Sequence, residues 1–375
     1  MHTPGDVVVV GGGMAAGHLV ASMHRLGQAH RVTVLGAEPH APYERPPLTK
    51  DALTAAMDPA ASEADLAARL AMHAPDRLAE QGVEVRVSAR VSGVDRARRT
   101  VTVKGGATVP YRHLVLATGS RPLVPRRWAR RPGLVRTVHT VADGAPLRPL
   151  LRGGRVVVVG GGFVGLEVAA AARGGGCPTT VVEAGPRVLG RVCTPVTSEA
   201  VARLHREHGV RVLTGTRCVD VTAGDGGGPA RLVRLDDGTV LEADLVVVGL
   251  GARPETDLAE AAGLELDQAT GGVAVDGALR TTRDPSVSAI GDVAAFPAPG
   301  AGDRLRLESV DHAATASAWS RSTTRRPRPP TSPPDWREGT PETTPPGAGC
   351  PPSGPTSTVT RCGSPDCPPD TTGPS

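Results

Sequence analysis

Lysine is nearly missing from this 375-residue chain. It stands only at Lys50 and Lys104, so arginine supplies the other 40 of the 42 basic residues. Asparagine is absent, isoleucine occurs only at Ile290, and aromatics make up 2%. These residue types share AT-rich codons, so their scarcity reflects GC-rich coding and not a structural need. No run reaches the roughly 20 apolar residues of a membrane span. The N-terminus carries no basic n-region or cleavage site, which argues against a signal peptide. The six cysteines, Cys177, Cys193, Cys218, Cys350, Cys362 and Cys367, form no disulfide framework and lack the ligand spacing of a zinc site. A cytoplasmic protein without a metal or a membrane partner is expected. A net charge of +4 gives no basis for a nucleic-acid partner.

At roughly 150 residues per domain the length allows two or three domains. Proline is unevenly spread. Fifteen of the 36 prolines fall in 321–375, a stretch of Arg, Ser, Thr, Gly and Pro with almost no aliphatic residues. Such a segment cannot bury enough apolar surface to offset its ordering entropy, so a disordered tail is expected there. In 1–320, apolar β-branched runs alternate with Ala-rich helical patterns, the signature of βαβ units around a parallel sheet.

The pattern occurs twice. Val7–Val10 leads into Gly11-Gly12-Gly13-Met14-Ala15-Ala16-Gly17, a helix to about Arg25 and a strand Arg31–Leu35. Arg155–Val159 leads into Gly160-Gly161-Gly162-Phe163-Val164-Gly165, a helix to about Arg173 and a strand Thr179–Val182. Further strands are predicted at Val83–Val87, Thr100–Val103, His113–Leu116, Val210–Leu213, Arg231–Leu235 and Leu245–Val248. Each glycine run fits a dinucleotide loop. Gly11 or Gly160 makes the tight turn, Gly13 or Gly162 lets a pyrophosphate approach the backbone, and the small Ala16 or Gly165 lets helix and strand pack closely. The phosphates then lie at a helix N-terminus. Two such sites suggest two dinucleotides, and a nicotinamide with a flavin is the natural pair for hydride transfer. Glu38 and Glu183 stand where a carboxylate can bond a ribose hydroxyl. At the second site that favours NADH over NADPH, with the nearby Arg187 pulling the other way.

Three further segments carry a resemblance: Pro42-Tyr43-Glu44-Arg45-Pro46-Pro47-Leu48-Thr49-Lys50, Ala117-Thr118-Gly119-Ser120-Arg121-Pro122, and Ala289-Ile290-Gly291-Asp292-Val293-Ala294, the last preceded by Gly249-Leu250-Gly251-Ala252-Arg253-Pro254. With the two glycine loops they resemble the FAD/NAD-linked reductases with two dinucleotide-binding domains. The bacterial ferredoxin reductases of oxygenase systems are the branch most alike, and apoptosis-inducing factor is a cousin. The resemblance covers about 1–318 and implies a glutathione-reductase-like α/β fold with two Rossmann-like domains. It implies Asp292 on the FAD ribityl chain, Lys50 near flavin N5, and Glu167 as the partner of Lys50. It carries further FAD contacts onto Ala15, Val91, Arg136 and Val310, and makes Arg45, Thr118, Gly119 and Gly251 cofactor-binding candidates. The family's ribose carboxylate aligns with Ala37, so the adjacent Glu38 is given that role. The family's redox cysteines are missing, since no Cys precedes Cys177. Electrons are therefore expected to leave the flavin directly for a ferredoxin-like [2Fe-2S] protein, itself serving a cytochrome P450 or a dioxygenase.

The resemblance fades near Trp319, where the family continues into a third, C-terminal α+β domain. Read in a shifted frame, the degenerate codons of Gly354–Thr371 permit Ser-Asp-Gln-Tyr-Gly-His, one unsettled residue, then Val-Arg-Val-Ala-Gly-Leu-Pro-Ala-Gly-His-Asp, which resembles the family's own ending. A single-base shift near Ser320 is therefore expected to have scrambled that domain. The expected organisation is a FAD-binding domain in two parts, 1–120 and 249–320, a NAD-binding domain over 121–248, and the tail. Two alternatives stand beside the reductase: a catalytically impaired nucleotide-binding remnant, and an NADH oxidase with an exposed flavin.

Overall fold

The two valine runs become inner strands of two separate parallel sheets. The computed structural model describes residues 6–54, 58, 60–224, 230–298 and 303–314. The tail over 321–375, with Cys350, Cys362 and Cys367, and the break near Ser320 lie outside the described residues. Val7–Val10 is buried throughout and lies between Val32–Leu35 and His113–Leu116. Glu84–Arg86 pairs beyond the former and Val287–Ala289 beyond the latter, which completes a five-stranded sheet. Val156–Val159, equally buried, lies between Thr179–Glu183 and Leu245–Val248, with Val210–Thr214 outside Thr179–Glu183. Runs of valine buried on both pleat faces suit sheets covered on both sides.

The sheets share one strand order. In each, a 12-residue helix, Met14–Arg25 or Phe163–Gly174, carries the chain from the valine strand to the next parallel strand. Each half adds a three-stranded antiparallel meander: Val91–Asp95, Thr100–Val103 and Thr108–Pro110 in the first, Cys218–Ala223, Arg231–Leu235 and Val240–Ala243 in the second. The chain leaves the first half through Ser120–Pro122 and returns through Ala252–Pro254, and these two strands pair antiparallel. Only after that return does Val287–Ala289 join the first sheet. The second sheet has a one-residue counterpart at the same edge, where Arg136 donates its N–H to Val246 at 2.9 Å and accepts from Val248 at 2.8 Å.

One core fills the first half. A second, on one side of the second sheet, includes Tyr43, Leu48, Leu53 and Leu66, so the segment after the first βαβ unit packs its apolar side chains against the second half. A third lies beneath the second meander around Trp128. Among the described residues no helix is long and apolar enough to cross a membrane, and Cys177, Cys193 and Cys218 are free thiols.

Some boundaries differ from the sequence pattern. The strand expected over Arg31–Leu35 begins at Val32, because Ala29–Arg31 closes a short 3-10 turn. Val83–Val87 shortens to Glu84–Arg86. The outer meander strands Val91–Asp95 and Val240–Ala243 are mostly partly exposed and mix polar with apolar residues, so they lack the apolar run that marks a buried strand. The helix Val141–Leu147 was hidden by Pro146 in its interior, and its Thr140/Asp143 capping box sets its start.

Candidate functional site

Both glycine loops are shaped by carbonyls that leave no room for a side chain. Gly11 has φ +117° and Gly160 has φ +112°. A Cβ at Gly11 would strike the carbonyl of Ala117, and one at Gly160 the carbonyl of Gly249. Each loop thus crosses the end of the neighbouring strand at backbone-to-backbone distance. A Cβ at Gly165 would strike the carbonyl of Gly160, whereas Ala16, its counterpart, is accommodated fully buried. Gly13 and Gly162 occupy the two N-caps without a side-chain cap. The first-turn N–H groups therefore find no partner in a capping side chain, which suits a phosphate. These cradles fit dinucleotides.

In the first half the acidic residue is held by side chains. Glu38 accepts from the Arg45 guanidinium at 2.6 Å and from the buried Tyr43 hydroxyl at 2.6 Å. Arg45 also donates to the His139 carbonyl at 2.7 Å, and its Nε lies 3.9 Å from where a Gly13 Cβ would sit. Tyr43 accepts from the Val141 N–H at 3.2 Å. Burial, reinforced by the Arg45 charge, pulls the His139 imidazole down to about 4, so it is neutral at pH 7. Gly291, at φ +68°, would set a Cβ 2.8 Å from that of Ala15. The short turn Gly291–Val293 thereby packs against the start of the first glycine helix and brings Asp292 beside it. Ser120 donates to Asp292 at 2.8 Å. Burial pushes the Asp292 carboxyl up, against the pull of the Ser120 hydroxyl and of Arg306 and Arg45.

In the second half the acidic residue is held by the main chain. Glu183 accepts from the N–H of Gly161 and of Gly185, both at 2.6 Å. Arg187 is turned away onto the carbonyls of Cys193, at 2.7 Å, and Gly190, at 2.8 Å. Gly251, at φ +97°, lies beside the Arg191 guanidinium.

The Lys50 ammonium meets the Glu167 carboxylate at 3.0 Å and the Pro46 carbonyl at 3.1 Å. The buried Thr49 hydroxyl also donates to Glu167. Lys50 follows the turn Pro46–Thr49 and Glu167 lies on the second glycine helix, so the pair joins the two repeats. With the Lys50 side chain half exposed, such a pair stabilises by at most about 1 kcal/mol. It fixes the position of an ammonium, and it adds little to stability.

The structure draws Arg45 to Glu38, Lys50 to Glu167, and Ala15 to the Gly291–Val293 turn. Thr118 and Gly119 begin the crossing between the halves: the Thr118 hydroxyl donates to the Glu255 carbonyl at 2.7 Å, and the Gly119 carbonyl accepts from the Glu255 N–H at 2.9 Å. Val91 opens the first meander and Val310 opens the helix Val310–Ala314, its side chain exposed. Arg136 is exposed on the second sheet edge, near Arg231. Among the described residues no hydrogen bond or ion pair links its side chain to Lys50, Glu167 or Asp292. Tyr43, Thr49, Ser120 and His139 went unassigned from sequence. For Tyr43 a signal existed, since it is one of only two tyrosines and stands within a quoted motif.

The pyridine nucleotide-disulphide oxidoreductase family matches residues 5–318. Rhodocoxin reductase of Rhodococcus erythropolis is 38% identical over 310 residues, 82% of this chain and 69% of the relative. The ferredoxin–NAD(+) reductase component of the anthranilate 1,2-dioxygenase system of Burkholderia cepacia is 38% identical over 303 residues, 80% of this chain and 71% of the relative. Among solved structures, the ferredoxin reductase for the CYP199A2 system of Rhodopseudomonas palustris superposes with TM-score 0.77 at 34% identity, covering 86% of this chain and 77% of that one. The covalent putidaredoxin reductase–putidaredoxin complex gives TM-score 0.77 at 32% identity, covering 87% and 77%.

Proposed function

Because the chain belongs to the pyridine nucleotide-disulphide oxidoreductase family, we propose that it works as a flavoprotein reductase of the ferredoxin-reductase type, passing hydride from NADH to FAD and single electrons onward to a ferredoxin-like protein. The relatives named for rhodocoxin, putidaredoxin and a dioxygenase system support a ferredoxin-like acceptor, which this reading takes as a [2Fe-2S] protein serving a cytochrome P450 or a dioxygenase in the cytoplasm. FAD, when bound, supplies a ring that accepts hydride and releases electrons singly.

The first half, 1–120 with 249–320, would hold FAD. Gly11, Gly13, Ala15 and Ala16 form the pyrophosphate cradle, with Arg45 as the cation beside it. Glu38, fixed by Arg45 and Tyr43, is placed for the ribose. Asp292 would hold the ribityl chain, with Thr118, Gly119 and the backbone of Val91 and Val310 as further contacts. Arg136 keeps only a peripheral part in this reading. The second half, 121–248, would hold NADH on Gly160, Gly162 and Gly165, with Glu183 on the ribose and Gly251 at the returning crossing. Glu183 is fixed by two backbone N–H groups, and Arg187 is spent on carbonyls. A 2′-phosphate would meet a carboxylate and no free Arg187, which favours NADH over NADPH.

Lys50 would supply a positive charge near the flavin, where negative charge develops on reduction, and Glu167, itself bonded by Thr49, holds the ammonium. The Lys50–Glu167 pair, which ties the two glycine-loop halves together, is the observation that carries the reading. The test is an anaerobic NADH titration of the FAD-reconstituted protein, followed by ferredoxin. The flavin absorbance should bleach with NADH and recover with ferredoxin. A protein that stays colourless after FAD reconstitution overturns the flavin assignment, and bleaching without recovery overturns the acceptor. We also propose that 321–375 is read from a shifted frame in place of the family's third domain. This rests on the composition and on the shifted-frame translation. Resequencing that finds the upstream frame intact through a Pro-rich tail refutes it.

A further inference from the structure

A cavity of about 670 Å³ lies beyond the Lys50–Glu167 pair, on the side away from the glycine loops. Its size is within the roughly 300–1,000 Å³ of small-molecule sites. It runs along Ala170, Ala171, Gly174 and Gly175 of the second glycine helix and its C-terminal end. These residues lie 8 to 13 positions after the N-cap Gly162, roughly 12–20 Å along the axis at about 1.5 Å per residue. The cavity is therefore not the phosphate cradle at the helix N-terminus.

Arg148 lines this cavity and is only 5% exposed. One guanidinium nitrogen donates to the Ala61 carbonyl, while Nε and Nη1 are buried without a partner. A buried cation with two unsatisfied donor groups is costly, and an anion in the adjoining cavity would offset its charge. Arg152 stands beside it on the rim. Lys50, Arg148 and Arg152 bring three positive charges to the lining against the two carboxylates of Asp51 and Glu167, an excess of one. The last helical carbonyls do not oppose an anion strongly, because Ala171, Ala172 and Arg173 accept from the N–H groups of Gly175, Cys177 and Gly176. The remaining wall is aliphatic, from Leu53, Leu151, Ala170 and Ala171.

We propose that this cavity binds a monoanionic organic acid, with its carboxylate on Arg148 and Arg152 and its apolar body against Leu53, Leu151 and Ala170. Guanidinium–carboxylate recognition supplies direction, and the aliphatic wall selects an apolar body over a bare inorganic anion. The site needs no flavin, so it stands or falls apart from the reductase reading.

Isothermal titration of the full chain with benzoate tests it, with benzyl alcohol as the neutral counterpart and inorganic phosphate as the bare anion. One benzoate per chain should bind, and benzyl alcohol and phosphate should each bind about tenfold more weakly or worse. Arg152→Gln, on the exposed rim, should weaken benzoate about tenfold. Ala170→Trp, an exposed helix position, should fill the cavity and abolish binding while thermal unfolding shows the chain still folded. Absence of benzoate binding overturns the proposal, as does unchanged affinity in both variants. Phosphate binding as tightly as benzoate overturns the apolar-body requirement. Displacement of benzoate by FAD also overturns it, because the cavity would then be part of the flavin site.

Discussion

Glu183 ends the second strand of its βαβ repeat, whereas Glu38 lies three residues past the end of its own, and different chemistry holds them. Glu183 is fixed within its own repeat, by the N–H of Gly161 in the glycine loop and of Gly185 two residues on. Glu38 is fixed by Arg45 and Tyr43, which come from a segment outside the repeat. That segment is itself bonded to the His139 carbonyl, the Val141 N–H and Glu167. The second site is thus self-contained, while the first is completed by parts that also grip the second half. Two copies of one motif therefore differ in how far a disturbance spreads. Damage at Glu183 stays local, and damage at Arg45 loosens both the first site and the junction.

The largest effects should come from the loop glycines. Gly11→Ala and Gly160→Ala each force a Cβ into a carbonyl at positive φ, at a cost of about 3 kcal/mol or more. Thermal unfolding should register both. Flavin retention should fail in Gly11→Ala and survive in Gly160→Ala, and equal flavin loss in both would break the comparison.

Arg45→Met comes next. It should lower FAD affinity at least about tenfold, near 1.4 kcal/mol, and also lower the unfolding temperature by loosening the junction. Nicotinamide affinity should move less than twofold in equilibrium titration.

Glu183→Ala should weaken NADH about tenfold and narrow the preference over NADPH, with FAD affinity unchanged. A parallel loss of FAD would show that the second site is not self-contained.

The smallest effect is the pH response of the junction. His139 has a folded-state value of about 4 against an ordinary value near 6.5. The fold therefore favours the neutral ring. The associated stability is fully present above about pH 6.5 and is lost as pH falls toward 4. After solvent screening the loss should be about 1 kcal/mol by pH 5. His139→Gln should flatten that part of a denaturation-versus-pH curve. His113, inside the first sheet, is also held at about 4 by burial, so the flattening should be partial. A curve that keeps its full slope would remove His139 from the junction's account.

Both glycine loops and the paired valine strands could be read directly in the chain, because their physics is local, whereas Lys50 entered through the family resemblance. A tight turn needs glycine, and a buried parallel strand needs a continuous apolar run. Thr49, Ser120 and His139 could not be read the same way. Each acts through a partner distant in sequence: Ser120 reaches Asp292 and Thr49 reaches Glu167. Nothing local marks such a pairing.

What the sequence determined by itself is therefore the repeated unit: strand, glycine turn, helix, strand and acid, each step specified by neighbours within a few residues. Only the tertiary structure decided how the two copies differ. It brought Val287–Ala289 back to widen the first sheet, placed Asp292 against the first helix, and turned Arg187 away from Glu183. It also left Arg148 buried over an open cavity. Except for Arg187, held by carbonyls three and six residues on, those outcomes depend on which surfaces meet after the chain crosses from one half to the other and returns, and close packing settles them among residues far apart in the sequence.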